Sequence, residues 1–598
     1  MPMSRPLLLA LLPALGALVL SGCGGGGGGG RAGNSLAYQT TWNGSGAGPI
    51  GVSQRITITP VGGTPLPSFI LDRDGNVNGH TFTGLTAGSY LVIVELATAA
   101  GFGGVKTGET STVVQVSGHS TFATLLGPVP THIDVNPTTA TVTQGTSQQF
   151  AATPLDAANV AVFVEPNSFT WQSLGGIGTV SDTGTFTATT PGSGSVVAKY
   201  VPQNFTDAAS ITVTPFTPLH TKWTVLVYMN AANDLDTFGD LNINQMEKAA
   251  GNPDVRFVVQ WKQAVITGES ESPSFVGTRR YLLQHDTDVN NVHSQLVQDM
   301  GTGVDMGDWH TLNDFISWGK TFYPSDRTVL VIWNHGNGWH RGINTDATRG
   351  VSYDDDMGTS IQTWELGQAI GTNHVNIFAW DASLMQMLEC NNEIRDKTDL
   401  IVGSEESPPG AGYPYDTIFQ HFADNPDATT VSLAKNFVDE TLLVPSYASQ
   451  KITQSVIEAD KLSDLSNAVN LLASTLNQEE IANRTDFDLY IQTARLNAQA
   501  YSQSSSRTYR DLIGLTQELD KTVGAYTPTG GILTGDATVR TAAAAAILYE
   551  GHNANSPNSH GIAIDFSPKS RFVNYGSDYS LLRLAQDTEW DEFLAAAP

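Results

Sequence analysis

Cysteine is nearly absent from this chain: Cys23 and Cys390 are the two in 598 residues. No framework of disulfides can hold a protein of this size together with so few, so its stability must come from burial of apolar surface. Basic charge is also scarce. There are 30 Lys and Arg against 58 Asp and Glu, a formal net charge of −28, which excludes nucleic acid as a partner and any electrostatic attachment to anionic lipid. Cationic substrates remain compatible with that sign. Long hydrophobic runs are missing as well, apart from Leu7 to Leu20; nothing else approaches the ~20 apolar residues a spanning helix needs. What the chain does have is length, enough for about four domains at ~150 residues each.

The run Leu7 to Leu20 follows a single positive charge, Arg5, and leads into Leu20-Ser21-Gly22-Cys23. It is too short to span a bilayer and is followed by small residues, as in an export signal. Leu-Ser-Gly-Cys resembles the bacterial lipobox. That resemblance implies cleavage before Cys23 and a lipid on its sulfur, hence residues 1–22 as signal peptide. Seven glycines follow, Gly24 to Gly30, and residues 23–35 read as a flexible tether whose glycine stretch reaches roughly 15 Å.

From 36 to 128 the chain is rich in Thr, Val and Gly, with period-two runs such as Ile56-Thr57-Ile58-Thr59 and Tyr90-Leu91-Val92-Ile93-Val94. Turn signals separate them, the pattern of an antiparallel β-sandwich. Phe82-Thr83-Gly84-Leu85 and Ala87-Gly88-Ser89-Tyr90 resemble prealbumin-like surface modules. A second β-sandwich is expected over 130–216. There Ile133 to Pro137, Gln149 to Ala152 and Gly178 to Ala188 resemble a bacterial immunoglobulin-like domain, with Trp171 as its core tryptophan. Such modules serve as spacers, or as adhesins.

After Lys222 the pattern changes to apolar strands alternating with helices. Val225 to Tyr228, Val255 to Val259, Arg280 to Leu283, Val329 to Ile332, Val375 to Phe378 and Leu400 to Gly403 read as strands. Asp240 to Ala250, Leu312 to Thr321 and Trp364 to Ile370 read as intervening helices. This order predicts an α/β domain over 222–598 with a mostly parallel sheet covered on both faces. Val431 to Leu476 and Asp486 to Val523 are expected as an appended helical layer, and His560 to Phe566 as a late strand.

Two strand ends carry chemistry: Asn334-His335-Gly336-Asn337-Gly338-Trp339 and Asp381-Ala382-Ser383-Leu384-Met385. In an open parallel sheet, side chains at such ends face the ligand crevice. A hydroxyl or thiol attacking a peptide carbonyl needs a nearby base and donors for the oxyanion. His335, flanked by Asn and Gly, is placed to be that base, the plainer alternative being a turn histidine that caps the next helix. Together with Trp223 to Met229 and Gly412-Tyr413-Pro414-Tyr415, these motifs resemble the clostripain family of cysteine peptidases, which share a caspase-like fold and have Asp-Ala-Cys where this chain has Asp381-Ala382-Ser383. The resemblance covers 222 to 596.

The resemblance implies Ser383 at the nucleophile position, His335 as base, and an oxyanion hole formed by the N–H groups of Gly336 and Ser383. It also implies Asp381 near the pocket that takes an Arg or Lys side chain before the scissile bond; as a strand-end residue Asp381 would equally serve as a helix cap. Glu405 and Glu406 follow the next strand and are further candidates for the pocket rim. Three explanations of Ser383 stay open: a serine nucleophile, a natural loss of catalysis, or an engineered change. Cys390, about 10 Å further along a helix, is no substitute and reads as a small buried residue. Asp354, Asp356 and Glu365 have the outline of a calcium loop, but Thr359 stands at its sixth place, where glycine is needed. The resemblance admits calcium as a cofactor.

The sequence therefore describes an exported, lipid-anchored protein of the bacterial cell envelope, expected at the outer membrane or cell surface. Its partners would be the membrane, through Cys23, and a peptide or protein substrate with Arg or Lys. A pseudopeptidase that binds basic peptides without cutting them is the second reading, and an adhesin the third.

Overall fold

The computed structural model describes residues 34–42, 51–61, 65–75, 77–126, 130–264, 275–339, 350–482, 484–501 and 508–598. The signal segment, Cys23 and the glycine tether lie outside them.

The first β module folds two sheets face to face. Phe69–Asp72, Ser53–Pro60, Gly88–Ala99 and Gly103–Val116 form one; Val77–Leu85, Asn34–Trp42 and His119–Leu126 belong to the other. Alternate residues point inward, so Leu36, Tyr38 and Trp42 meet Ile56, Ile58, Val92 and Val94 in a dry core. The second module has its own core, and it shares a sheet with the first. His119–Leu126 pairs parallel with Ala161–Val162, which pairs with Ala151–Leu155, so one six-stranded sheet runs through both modules. Glu109 and Val164 add a further rung with two mutual hydrogen bonds. Trp171 is half-buried and lies against the turn at Gly184 (φ 83°); the centre of that core is Val135, Phe150, Phe186 and Val196.

The α/β domain is organised by a nine-stranded sheet, whose strands we number in chain order: β1 Thr221–Ala231, β2 Val255–Gln263, β3 Gly277–Leu282, β4 Gln295–Gly301, β5 Ser325–Trp333, β6 Val375–Asp381, β7 Thr398–Gly403, β8 Thr453–Glu458 and β9 Ile547–His552. Their spatial order is β4-β3-β2-β1-β5-β6-β7-β8-β9. The five central strands, β2 to β7 in that order, run parallel, and an antiparallel pair flanks them on each side. Parallel strands are buried on both faces. Accordingly Leu226, Tyr228, Leu330, Ile332 and Phe378 feed one core, while Val225, Val227, Val329, Val331 and Ala379 feed the other.

Helices Asp236–Ala249, Tyr415–Asp424 and Thr430–Leu443 bury residues in the second of these cores, and Trp309–Phe322 in the first. The helical layer is real but interrupted. Between Thr430–Leu443 and Leu462–Ala482 the chain crosses the sheet as β8, and β9 follows the helix Gly530–Ala546. Thr-Gln-Ser-Val-Ile-Glu has too few apolar residues to read as a strand; its partners, not its own composition, put it there. The late strand is short, Ala563–Asp565, and pairs with Tyr509–Asp511 outside the main sheet.

The β modules meet the α/β domain along β4, beside Ser147–Gln149 and Thr185–Ala188, and at Phe322, at the end of the helix Trp309–Phe322. Phe216 packs on it with ring centroids 5.3 Å apart. The turn at Gly145 (φ 84°) approaches the same ring so closely that a Cβ there would lie 2.7 Å from it. The expected outcome of Phe322→Ala is several-fold faster cleavage of the exposed segment 217–220 by an added protease, with the thermal transition of the α/β domain held. Unchanged cleavage would show that the modules are held elsewhere.

Candidate active site

In the sheet order, β1 is flanked by β2 on one side and by β5 on the other, so the chain reverses its direction of travel there. A crevice opens at such a switch point, outside the carboxyl ends of the strands. Three chain exits meet at it: Asp234 after β1, His335 after β5 and Ser383 after β6. Because Trp333 is in register with Asp381, the His335 and Ser383 turns leave the sheet side by side.

Asn334 fixes the first turn. Its N–H donates to the Asp381 carbonyl at 3.1 Å, its side-chain oxygen accepts the Tyr353 N–H at 2.7 Å, and its amide donates to the Asn230 carbonyl. With its neighbour tied on three sides, His335 can only project into the crevice. Its Nε2 lies 2.5 Å from Asp234 Oδ1, and its ring packs 5.8 Å from that of Tyr353. Asp234 supplies the acidic partner that the His335 motif itself does not contain.

The second turn is strained. Leu384, immediately after Ser383, has φ 66°, a conformation that costs a residue with a Cβ on the order of 1–3 kcal/mol. Hydrogen bonds from Leu384 N–H to the Glu406 carbonyl (3.3 Å) and from Gln386 N–H to the Ser404 carbonyl (3.1 Å) hold it. Gly336 lies against this turn, and a Cβ there would come within 2.6 Å of the Ser383 carbonyl oxygen. The Asn337 N–H, not that of Gly336, makes the rung to the Gly350 carbonyl. Among the described hydrogen bonds none uses the N–H of Gly336 or of Ser383, and none joins Ser383 to His335.

Leu235, Trp333, His335, Asp381, Ser383, Pro408, Pro409, Gly410 and Gly412 enclose a cleft of about 150 Å³. Asp381 sits at its base, 6% exposed. Its Oδ2 accepts the Tyr415 hydroxyl at 2.6 Å and the Tyr413 N–H at 3.2 Å. Burial pushes its pKa up to about 6, against the lowering effect of those two donors. Gly412 (φ 69°) makes room for it: a Cβ at that position would lie 2.6 Å from Oδ2.

Several expected site residues lie elsewhere. Glu405 does not line the cleft; it is buried, its Oε2 accepts the Gly561 N–H at 3.1 Å, and burial together with the nearby Asp511 holds its pKa well up. Glu406 is also buried, turned toward Lys451 at 3.5 Å and the Ser407 N–H at 3.0 Å. The calcium outline does not fit the ion. Both oxygens of Asp354 are engaged by the fully buried Lys262 ammonium at 2.8 and 2.7 Å, and Glu365 accepts the Gln362 N–H in a helix capping box. No cluster of three or more metal-ligating side chains occurs among the described residues. Cys390 is buried in the helix Leu388–Ile394, where burial pushes its thiol well up.

His335, held by Asp234, and Ser383 at the end of the adjacent strand thus border one cleft. The family model described as the clostripain family matches residues 227–596, and the chain belongs to that family. Clostripain of Hathewaya histolytica is 26% identical over 220 residues, which are 33% of this chain and 41% of that protein; the chain thus spans under half the length of the curated relative it matches. A secreted C11 cysteine protease from Bacteroides thetaiotaomicron, solved with an irreversible peptide inhibitor, is 17% identical with a TM-score of 0.47, covering 62% of this chain and 99% of that one. An inactive zymogen C11 protease from Parabacteroides distasonis is 16% identical with a TM-score of 0.46, covering 62% and 99%.

The Lys262–Asp354 pair ties β2 to the strand Val351–Asp354 beside the His335 turn. Asp354→Ala strands a buried ammonium, and the expected loss of stability is about 3–5 kcal/mol, read from the urea transition of the α/β domain. Asp354→Ala with Lys262→Met should recover a good part of that loss.

Proposed function

We propose that this protein is an exported endopeptidase that cleaves after Arg or Lys and uses Ser383 as its nucleophile. The observation that carries this reading is the meeting of Ser383, His335 with Asp234 on its ring, and the buried Asp381 around one cleft. The Ser383 hydroxyl oxygen attacks the scissile carbonyl carbon while His335 takes its proton through Nδ1, the nitrogen not engaged by Asp234. The carbonyl electron pair moves onto oxygen, and the N–H groups of Gly336 and Ser383 stabilise that oxyanion. His335 then gives the proton to the leaving amine as the C–N bond breaks, which leaves an acyl ester on Ser383. Water attacks the ester with His335 again as base, and the acid product departs.

Asp234 matters more here than it would beside a thiol. A thiolate forms readily next to an imidazolium, whereas a serine hydroxyl keeps its proton until the base removes it during attack. A fixed, correctly oriented imidazole is what that step requires. Asp381 would pair with the substrate ammonium or guanidinium, and no step involves calcium.

A non-catalytic protein that binds basic peptides is the second reading; what favours it is the lack of a hydrogen bond between Ser383 and His335. For location we propose export and a lipid on Cys23, supported by the Leu20-Ser21-Gly22-Cys23 motif.

Turnover of Arg and Lys peptides by the full chain is expected to fall by about 10³-fold or more in Ser383→Ala, and by at least about 10-fold in Asp234→Ala, whose exposure lets water do part of its work. Silence in the full chain with activity in Ser383→Cys would sink the serine route and leave a disarmed cysteine-type site. The acidity dependence has a definite sign. Asp381 is ionised above about pH 6, so attraction for a cationic side chain is present above that value and is lost as the pH falls through it. KM for basic substrates should therefore rise below pH 6, and that rise should vanish in Asp381→Asn.

A further inference from the structure

We infer that the base of the cleft selects lysine over arginine, an inference that rests on reading the cleft as the subsite for a basic side chain. Asp381 is the one acidic side chain among the described residues that line it. A carboxylate oxygen has about two acceptor positions. Those of Oδ2 are taken by the Tyr415 hydroxyl at 2.6 Å and the Tyr413 N–H at 3.2 Å. Oδ1 has no donor among the described hydrogen bonds.

A guanidinium is held best by two parallel bonds, one to each oxygen of a carboxylate. With Oδ2 filled, that fork cannot close on Asp381. An ammonium needs no fork; it is a compact point charge that a single oxygen can hold. The remaining walls sharpen the difference. Leu235, Trp333, Pro408 and Pro409 present apolar surface beside Asn334, Gly410 and Gly412. Against the apolar part a lysine stem packs well, whereas the five N–H donors of arginine ask for more acceptors than the one unfilled carboxylate oxygen supplies. The result is a preference of about 10-fold or more for lysine.

The experiment is equilibrium binding to the full chain of two peptides that differ only in a C-terminal lysine or arginine, by calorimetry at pH 7.5, which needs no turnover. It is repeated with Tyr415→Phe, which returns one acceptor position on Oδ2. Expected are a lysine-to-arginine affinity ratio of about ten or more in the unaltered chain and a ratio several-fold smaller in Tyr415→Phe. Equal affinities, or tighter arginine, in the unaltered chain would overturn the inference and leave the basic subsite standing. A ratio that persists in Tyr415→Phe would remove its cause. Binding of neither peptide would overturn the basic subsite itself, and the inference with it. Should Tyr415→Phe fail to fold, the ratio in the unaltered chain decides.

Discussion

Burial of both faces of the five parallel strands is the constraint from which the rest of the α/β domain follows. When Val225, Val227, Val329 and Val331 turn to one core and Leu226, Tyr228, Leu330 and Ile332 to the other, neither face of the sheet has room for polar chemistry. Reactive groups are confined to the strand ends. The reversal of strand order at β1 then selects one region of that edge, because there the connections before and after part and a crevice opens. Asp234, His335 and Ser383 are respectively three, two and two residues past their strands, which is as far as an exit turn can carry a side chain and still hold it rigidly.

The same constraint explains what could be read from the sequence. Continuous apolar runs such as Val329 to Trp333 and Val375 to Trp380 signal strands buried on both faces, and the polar residues after them stand where ligands bind. The placing of His335, Ser383 and Asp381 around one cleft was legible for that reason. Asp234 follows the run Trp223 to Met229 in the same way and could have been found by the same rule, but it belongs to no motif with His335 and lies about 100 residues away. Glu405 looked equivalent to Asp381, since both follow a strand. The difference lies in tertiary contacts: Glu405 turns inward to Gly561 and Asp511, whereas Asp381 is drawn to Tyr413 and Tyr415 at the cleft floor. β8 was illegible because Thr453–Glu458 has few apolar residues of its own and takes its conformation from β7 and β9 on either side.

The β modules show a related limit. Period-two alternation correctly marked the strands around Ile56 and Val92, yet alternation along a strand says nothing about which strand lies beside it. The pairing of His119–Leu126 with Ala161–Val162 joins two modules through backbone hydrogen bonds that any residues can make. Their docking on Phe322 depends equally on a glycine and an aromatic ring separated by 177 positions in the chain. A freely swinging spacer would need neither contact.

Around the cleft, Asp381, Asn334 and Ser383 are mechanically one unit. The Asp381 carbonyl accepts the Asn334 N–H, and Asn334 in turn sets the direction of His335. The Asp381 carboxylate is gripped by Tyr415, and Ser383 is two residues further along. Asp381 thus belongs to the segment that positions both His335 and Ser383. Burying that carboxylate costs free energy, as its raised pKa records. It lies close to a Leu384 turn that stores backbone strain.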